Sequence, residues 1–275
     1  MKNKNFFRKN LSFTIFGILA VLIVLAAIFA PIVTGGVDPT AGTLQDALQP
    51  PSSAHWFGTD RLGRDIFTRV IYGARTSLVA AFTVVVLIFV IGTFLGILAG
   101  YFGGIVDTVI MRIADMMIAF PGLVLAIAVA GIMGASIRNA IIAISIVSWT
   151  KYARLARSLV LKIRNRDYVA AAIVTGSKTP YMLLRYMLPN VLPTAVITGA
   201  TDIGSMMLEL AGLSFLGFGA QPPTPEWGLM LNEGRSFMQA APWLMIFPGL
   251  AIFVVVVVFN MLGDSLRDIL DPRSE

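Results

Sequence analysis

"VAAAIVTGSKTPYMLLRYMLPN", Val169–Asn190, lies between two apolar stretches and shares the character of neither. Its punctuation predicts helix, glycine, helix. Asp167 stands where an N-cap would open a short helix running through Thr175, and Gly176 suits the left-handed backbone that ends one. Thr179 is a second N-cap residue, Pro180 fits the first helical position, and Pro189 interrupts the pattern that follows. On the second helix Tyr181, Leu184 and Leu188, with Met182 nearby, form an apolar strip beside Arg185. A loop that merely joins two membrane spans needs charge to set topology, but it has no use for such a strip. An apolar helix face in water is a docking surface for a partner.

The surroundings are those of a bilayer protein. The chain is 57% hydrophobic and only 13% charged over 275 residues, about half the charged fraction of soluble domains. It has no cysteine, which excludes disulfides, thiolate metal sites and cysteine nucleophiles, and a single histidine, His55. The net charge of +6 is not read as nucleic-acid binding, because the basic residues collect in one segment between spans.

A helical span needs about 20 mostly apolar residues. Six segments qualify: 11–33, 78–101, 109–133, 140–159, 191–215 and 243–262. The first is expected to be a retained anchor rather than a cleaved signal peptide, since its apolar core outruns the usual h-region of roughly 7–15 residues. The predicted class is therefore an all-α membrane protein with six transmembrane helices. Residues 34–77 form an extracytoplasmic loop, 78–265 a five-helix core with a cytoplasmic loop at 162–190 and an external loop at 219–241, and 266–275 a cytoplasmic tail.

Orientation follows the basic residues. Lys2, Lys4, Arg8 and Lys9 place residues 1–10 in the cytoplasm. Between Lys151 and Arg185 eight basic residues face the lone acid Asp167, an excess greater than that of the whole chain. With six spans that segment is cytoplasmic too, and both termini lie inside. The loop from Thr34 to Arg75 balances four arginines with four aspartates.

Glycines at Gly92, Gly96, Gly100 and Gly104 repeat every four residues along the second span, the pattern that lets helix backbones approach closely in lipid. Asp202 and Glu209 are seven apart, two turns along one face of the fifth span. An acid at mid-membrane costs roughly 3 kcal/mol on insertion scales, so both are expected on a cavity or a partner helix. Met206 lies on the turn between them. Asp115 is expected to pair with Arg112, three residues away. "GSKT", Gly176–Thr179, matches only the tail of the phosphate-loop pattern G-x-x-x-x-G-K-[ST]: Ser177 stands where the glycine before the lysine is needed, and Ala172 where the first is needed. The chain is thus expected to be non-catalytic, with no cofactor of its own and no metal site.

The stretch "YVAAAIVTGSKTPYMLLRYMLPN" resembles the EAA loop of ABC importer permeases. "HWFGTDRLGRDIFTRVIYGARTSL" (His55–Leu78), "AFPGLVLAIAV" (Ala119–Val129), "LSFLGFGAQPPTPEWGLML" (Leu213–Leu231) and "FNMLGDSLRDILDP" (Phe259–Pro272) are similar to the C-type permease subunit of the dipeptide, oligopeptide and nickel group. The resemblance covers nearly the whole chain. It implies the type I importer fold in an inner or plasma membrane, a heterodimer with a paralogous B-type permease, two ATPase subunits that bind ATP and Mg, and an extracytoplasmic solute-binding protein. It further implies that Ala170, Ala171, Ala172, Gly176, Pro180, Tyr181, Leu184, Arg185, Pro189 and Asn190 couple to the ATPases. His55, Gly58, Asp60, Gly63, Arg64, Asp65, Pro222, Pro223 and Trp227 would belong to external docking loops, and Asp202, Met206 and Glu209 to the translocation cavity. Two positions depart from the family pattern: Ala170 replaces its glutamate, and Tyr186 its frequent histidine, so the contact should lean on the apolar strip and Arg185. Small peptides are the first expected substrate and nickel, as a chelate, the alternative. A remoter reading is a proton-coupled carrier that uses Asp202 and Glu209 as relays.

Overall fold

The computed structural model describes residues 10–270, and within them the chain is helical with only isolated antiparallel bridges, Gly42 to Arg64 and Thr59 to Asp65. Lys2, Lys4, Arg8 and Lys9, on which the placement of the N-terminus rests, and the tail beyond 270 lie outside the described residues. Helix α1 (Leu11–Ile28) gives way at Phe29 to the short α2 (Ala30–Val33), with Pro31 in its first turn. Helix α3 runs from Ile66 to Phe102 over 37 residues, about 55 Å and well beyond the hydrocarbon thickness. Its first dozen residues, expected as loop, are helical because the Asp65 side chain accepts the Thr68 N–H at 2.8 Å and starts the helix early.

The expected third span is broken. Helices α4 (Gly104–Ile118) and α5 (Gly122–Met133) meet at 94° across Ala119–Pro121. Pro121 has no N–H to continue the ladder and pushes its predecessor out of the helical region, so an apolar run that reads as one span becomes an elbow. Irregular backbone at membrane depth is tolerated where it lines a cavity, and this one does. Helix α6 (Ile137–Ile163) opens with Ser136 capping the Asn139 N–H.

The basic segment after α6 contains α7 (Asp167–Val174) and α8 (Thr179–Met182), followed by a π-helical turn over Leu183–Met187 and then α9 (Leu188–Phe215). Gly176 is left-handed, with φ +84°. The caps sit one residue earlier than expected: Arg166 and Lys178 precede the helices without side-chain capping. Pro189 does not break the chain, because widening the ladder to a π turn absorbs its missing donor; α8, the π turn and α9 make one run from Thr179 to Phe215. Next come α10 (Trp227–Gly234) and a 3₁₀ turn at Arg235–Phe237, and α11 (Trp243–Leu270) closes the described chain.

Four helical runs, at Leu11, Ile66, Thr179 and Trp243, are long and apolar enough to cross a membrane, and the bent α4–α5 pair makes a fifth if counted as one span. Against the six expected, α6 is the exception. It has the length, at 27 residues, but Lys151, Arg154, Arg157 and Lys162 crowd its second half.

Packing centres on α3 and α6. A Cβ added at Gly92 would strike the Trp149 carbonyl, one at Gly96 the Ala153 carbonyl, and one at Gly100 the Val160 side chain. Gly104 does not belong to this seam; nothing lies near it. Asp107 and Asp115 of α4 pair across to Arg157 (2.5 and 2.6 Å) and Arg154 (2.5 Å) of α6. The Asp115 partner is therefore Arg154, not Arg112, since both arginine-bearing turns of α6 face the acidic face of α4.

Candidate functional site

The cavity expected around Asp202 exists. It holds about 400 Å³ and is bounded by Ile88 of α3, by Met117, Ile118, Phe120 and Gly122 of the α4–α5 elbow, by Val147, Ser148, Thr150 and Lys151 of α6, and by Asp202, Met206 and Glu209 of α9. The seven-residue spacing brings the two acids to one opening, as helix geometry requires. Asp202 is buried, and both its oxygens are engaged: Oδ1 accepts from Lys151 Nζ at 2.6 Å and Oδ2 from the Tyr152 hydroxyl at 2.9 Å. Lys151 and Tyr152 were not legible as site residues. Lys151 sits at the head of a basic run whose sum sets topology, and nothing in that run marks the one lysine that turns inward. Glu209, half-buried, forms no hydrogen bond or ion pair within the described residues.

The α7–α8 segment divides into buried and exposed side chains. Val169, Ala172, Met182 and Met187 are buried with Val191 and Ala195 in a small core against α3 and α6. Ala172 and Met182 therefore hold the segment on the membrane domain and are not contact residues. Exposed on the segment are Val174 (87%), Leu184 (66%), Ile173, Tyr181 and Tyr168, with Ala170, Ala171, Gly176, Pro180, Arg185, Pro189 and Asn190; Pro180 and Leu184 border an apolar groove shared with Val90 and Phe94 of α3. Tyr186 stacks at 6.0 Å on Tyr168 and meets the Tyr181 ring edge-on at the same distance.

On the opposite side, several residues expected to meet a partner are interior. Asp60 takes N–H groups of Leu62 and Arg64 on Oδ1 and the Arg64 guanidinium on Oδ2 at 2.5 Å; Arg64 and Arg69 both reach Glu233 of α10, at 3.1 and 3.0 Å. Arg69 also donates to the Pro39 and Pro223 carbonyls. Buried cations require this density of acceptors. Trp227, 2% exposed, donates its indole N–H to the Val70 carbonyl at 2.9 Å and fills the space above Gly73. Asp60, Arg64 and Trp227 thus build the outer cap and do not form its contact surface. Gly58 and Gly63 are buried in left-handed turns, where the chain passes too close for a side chain. His55 pairs with Asp65 at 3.0 Å. Among the exposed residues of the cap are Pro222, Pro223, Leu44 and Trp56. Trp56 was not singled out in the sequence because a tryptophan beside the half-buried Phe57 and the buried Gly58 reads equally as core.

Beneath the cap, Glu226 is buried and starts α10, accepting from the Gly228 and Leu229 N–H groups at 2.9 and 2.8 Å and from Ser77 at 3.3 Å. Burial pushes its carboxyl above the ordinary range, opposed by those hydrogen bonds.

A multi-pass helical chain with a cavity bearing charged side chains at its broken helix, and a folded basic segment between spans, is the architecture of a membrane transport component. Comparison bears this out. The chain belongs to the binding-protein-dependent transport system inner membrane component family, whose model matches residues 92–275. It is 47% identical to the dipeptide transport system permease protein DppC of Alkalihalophilus pseudofirmus, over 91% of this chain and 82% of the relative. It is 50% identical to the glutathione transport system permease protein GsiD of Pectobacterium atrosepticum, over 81% and 74%. With the nickel transport system permease protein NikC of Escherichia coli K12 it shares 42%, over 86% and 85%. A solved structure of the MetNI methionine ABC transporter shares the fold, with TM-score 0.60 at 17% identity over 74% of this chain and 97% of that one. The resemblance read from the sequence is thereby confirmed, and with it the type I importer permease fold.

Proposed function

We propose that the chain forms, with a paralogous permease subunit, the pathway of an ATP-driven importer that accepts small peptides from an extracytoplasmic binding protein. In this reading α6 is the sixth span and the α7–α8 segment faces the cytoplasm. Two separate subunits bind ATP and Mg, and this chain binds no cofactor. One observation carries the reading. The exposed apolar side chains of Val174, Tyr181 and Leu184 stand on a segment whose buried side chains lock it into the membrane domain, and from Thr179 that segment continues without a break into the helix bearing Asp202 and Glu209. Such a surface can take force from a partner and deliver it to the cavity. The exposed Leu44, Trp56, Pro222 and Pro223 form the platform for the binding protein.

The test is a double substitution, Leu184→Ala with Arg185→Ala, in the reconstituted four-subunit transporter. ATPase stimulated by the loaded binding protein and solute uptake should both fall by at least about tenfold, the equivalent of one lost anchor contact, while insertion in the membrane is unchanged. Full coupled ATPase in the variant would remove the docking role. Nickel delivered as a chelate is the second reading, favoured by the similarity to a nickel permease. Uptake assays with a labelled dipeptide and with chelated nickel separate the two.

A further inference from the structure

The cavity holds three charged side chains, and two of them satisfy each other. Lys151 and Asp202 form a close pair, with the Tyr152 hydroxyl closing the remaining carboxylate oxygen. Glu209 is left over. It lies two turns further along the same helix face, half-buried, within reach of the cavity and beside the apolar Met206, and no cation or donor among the described residues meets it. The formal charge of the cavity is therefore that of one unpaired carboxylate. An unpaired acid at membrane depth is expensive to keep, and the expense is removed when a cation enters. The Lys151 side chain is 60% exposed despite its partner, so its ammonium has hydrogens free to donate to a second anion.

We infer that Glu209 receives the ammonium group of the transported solute, and that the solute is a short zwitterionic peptide whose carboxylate end turns toward Lys151. This rests on the import function proposed above and deepens it by naming the group recognised. The dimensions agree. Seven residues of helix separate Asp202 and Glu209 by about 10 Å along the axis, and an extended peptide covers at most about 3.5 Å per residue. Two or three residues, with the reach of the lysine and glutamate side chains, bridge the interval. The apolar wall of Ile88, Ile118, Phe120, Val147 and Met206 makes no hydrogen-bonding demand on the peptide's own side chains, so varied sequences can pass.

The experiment uses the complete transporter in proteoliposomes with ATP, measuring uptake of a labelled dipeptide and ATP hydrolysis in the same vesicles, for the native chain, Glu209→Gln and Glu209→Asp. Glu209→Gln should lower uptake by at least about tenfold while leaving ATPase stimulated by the loaded binding protein within about twofold, and Glu209→Asp should restore a substantial part of the uptake. A purely structural role predicts that uptake and ATPase fall together, which overturns the inference. Unchanged uptake in Glu209→Gln overturns it as well. If the variant complex loses its paralogous subunit on size exclusion, Glu209 is an inter-subunit ion-pair member and the inference fails. Should the native transporter show no ATP-dependent uptake of any solute, the import reading itself falls, whatever the variants do. Should it carry chelated nickel and no peptide, the peptide assignment falls with the inference.

Discussion

Glu226 shows how a single side chain can serve a fold at a cost. Its carboxylate satisfies two free N–H groups at the start of α10, yet burial raises its affinity for a proton. A carboxyl raised in the folded state contributes fully to stability below its unfolded value near 4.3 and loses that contribution as pH climbs through the raised value. Glutamine keeps an acceptor for the cap and does not titrate. The melting temperature of Glu226→Gln minus that of the native protein should therefore grow more positive from pH 4 to pH 8, followed by thermal unfolding of the purified complex. A difference that shrinks over this interval would show that the N–H groups, not burial, govern the acid. At this scale the sequence was informative about where acids lie and poor about what they meet. Asp202 and Glu209 were placed on one face by spacing alone, but Lys151 and Tyr152 come from a helix fifty residues away. Asp115 chose Arg154 across a helix interface over its own neighbour. Local spacing predicts partners along a helix; partners between helices depend on packing that no single segment encodes.

At the scale of elements, the seam between α3 and α6 is the clearest dependence of architecture on residue type. Three glycines admit the backbone of α6, and dispersion across that close approach, without a hydrophobic contribution from water, holds the pair. Gly96→Leu must displace the Ala153 carbonyl and the Ala156 methyl, an overpacking that costs on the order of 1–3 kcal/mol. It should lower the thermal stability of the purified complex by several degrees. Gly17→Ala, which would meet only Leu262 at 3.9 Å, should be silent. Equal effects of the two would refute close packing at the seam. The glycine repeat was readable as a packing face because its period is that of the helix, although Gly104 extends the repeat in sequence and not in space. The elbow at Pro121 was not readable as such. A hydropathy run records where a chain can be apolar, and it is blind to the direction in which a proline turns it. The π turn before Pro189 has the same origin: the proline was seen, but whether the chain breaks or widens is decided by the helix that follows.

For the whole molecule, the proposed orientation makes a simple demand. The chain has no cysteine, so single cysteines report position without background. Ser53→Cys, exposed in the outer cap, should react with an impermeant maleimide on intact cells, and Lys178→Cys only after permeabilisation. The reverse pattern would invert the molecule and separate the α7–α8 surface from any ATP-binding partner. The family, the charged segment and most of the apolar spans were legible before the structure, but not the bend in the third or the exclusion of α6 by its own basic residues. The cap was legible only as sequence: the family resemblance put Asp60 and Arg64 on a contact surface, whereas in the structure they pair with each other and with Arg69 and Glu233.

That economy bears on how the two sides of the membrane stay in step. From Thr179 the chain climbs as one continuous helical run past Asp202 and Glu209 to Phe215, whose carbonyl is held by the Asn232 side chain of α10 beneath the cap. In the proposed orientation the two sides of the membrane therefore share an axle. On that reading a tilt imposed at Leu184 would alter the shape of the cavity and the footing of the cap together, and the two would be linked by one helical run instead of by messages passed along a chain of side chains.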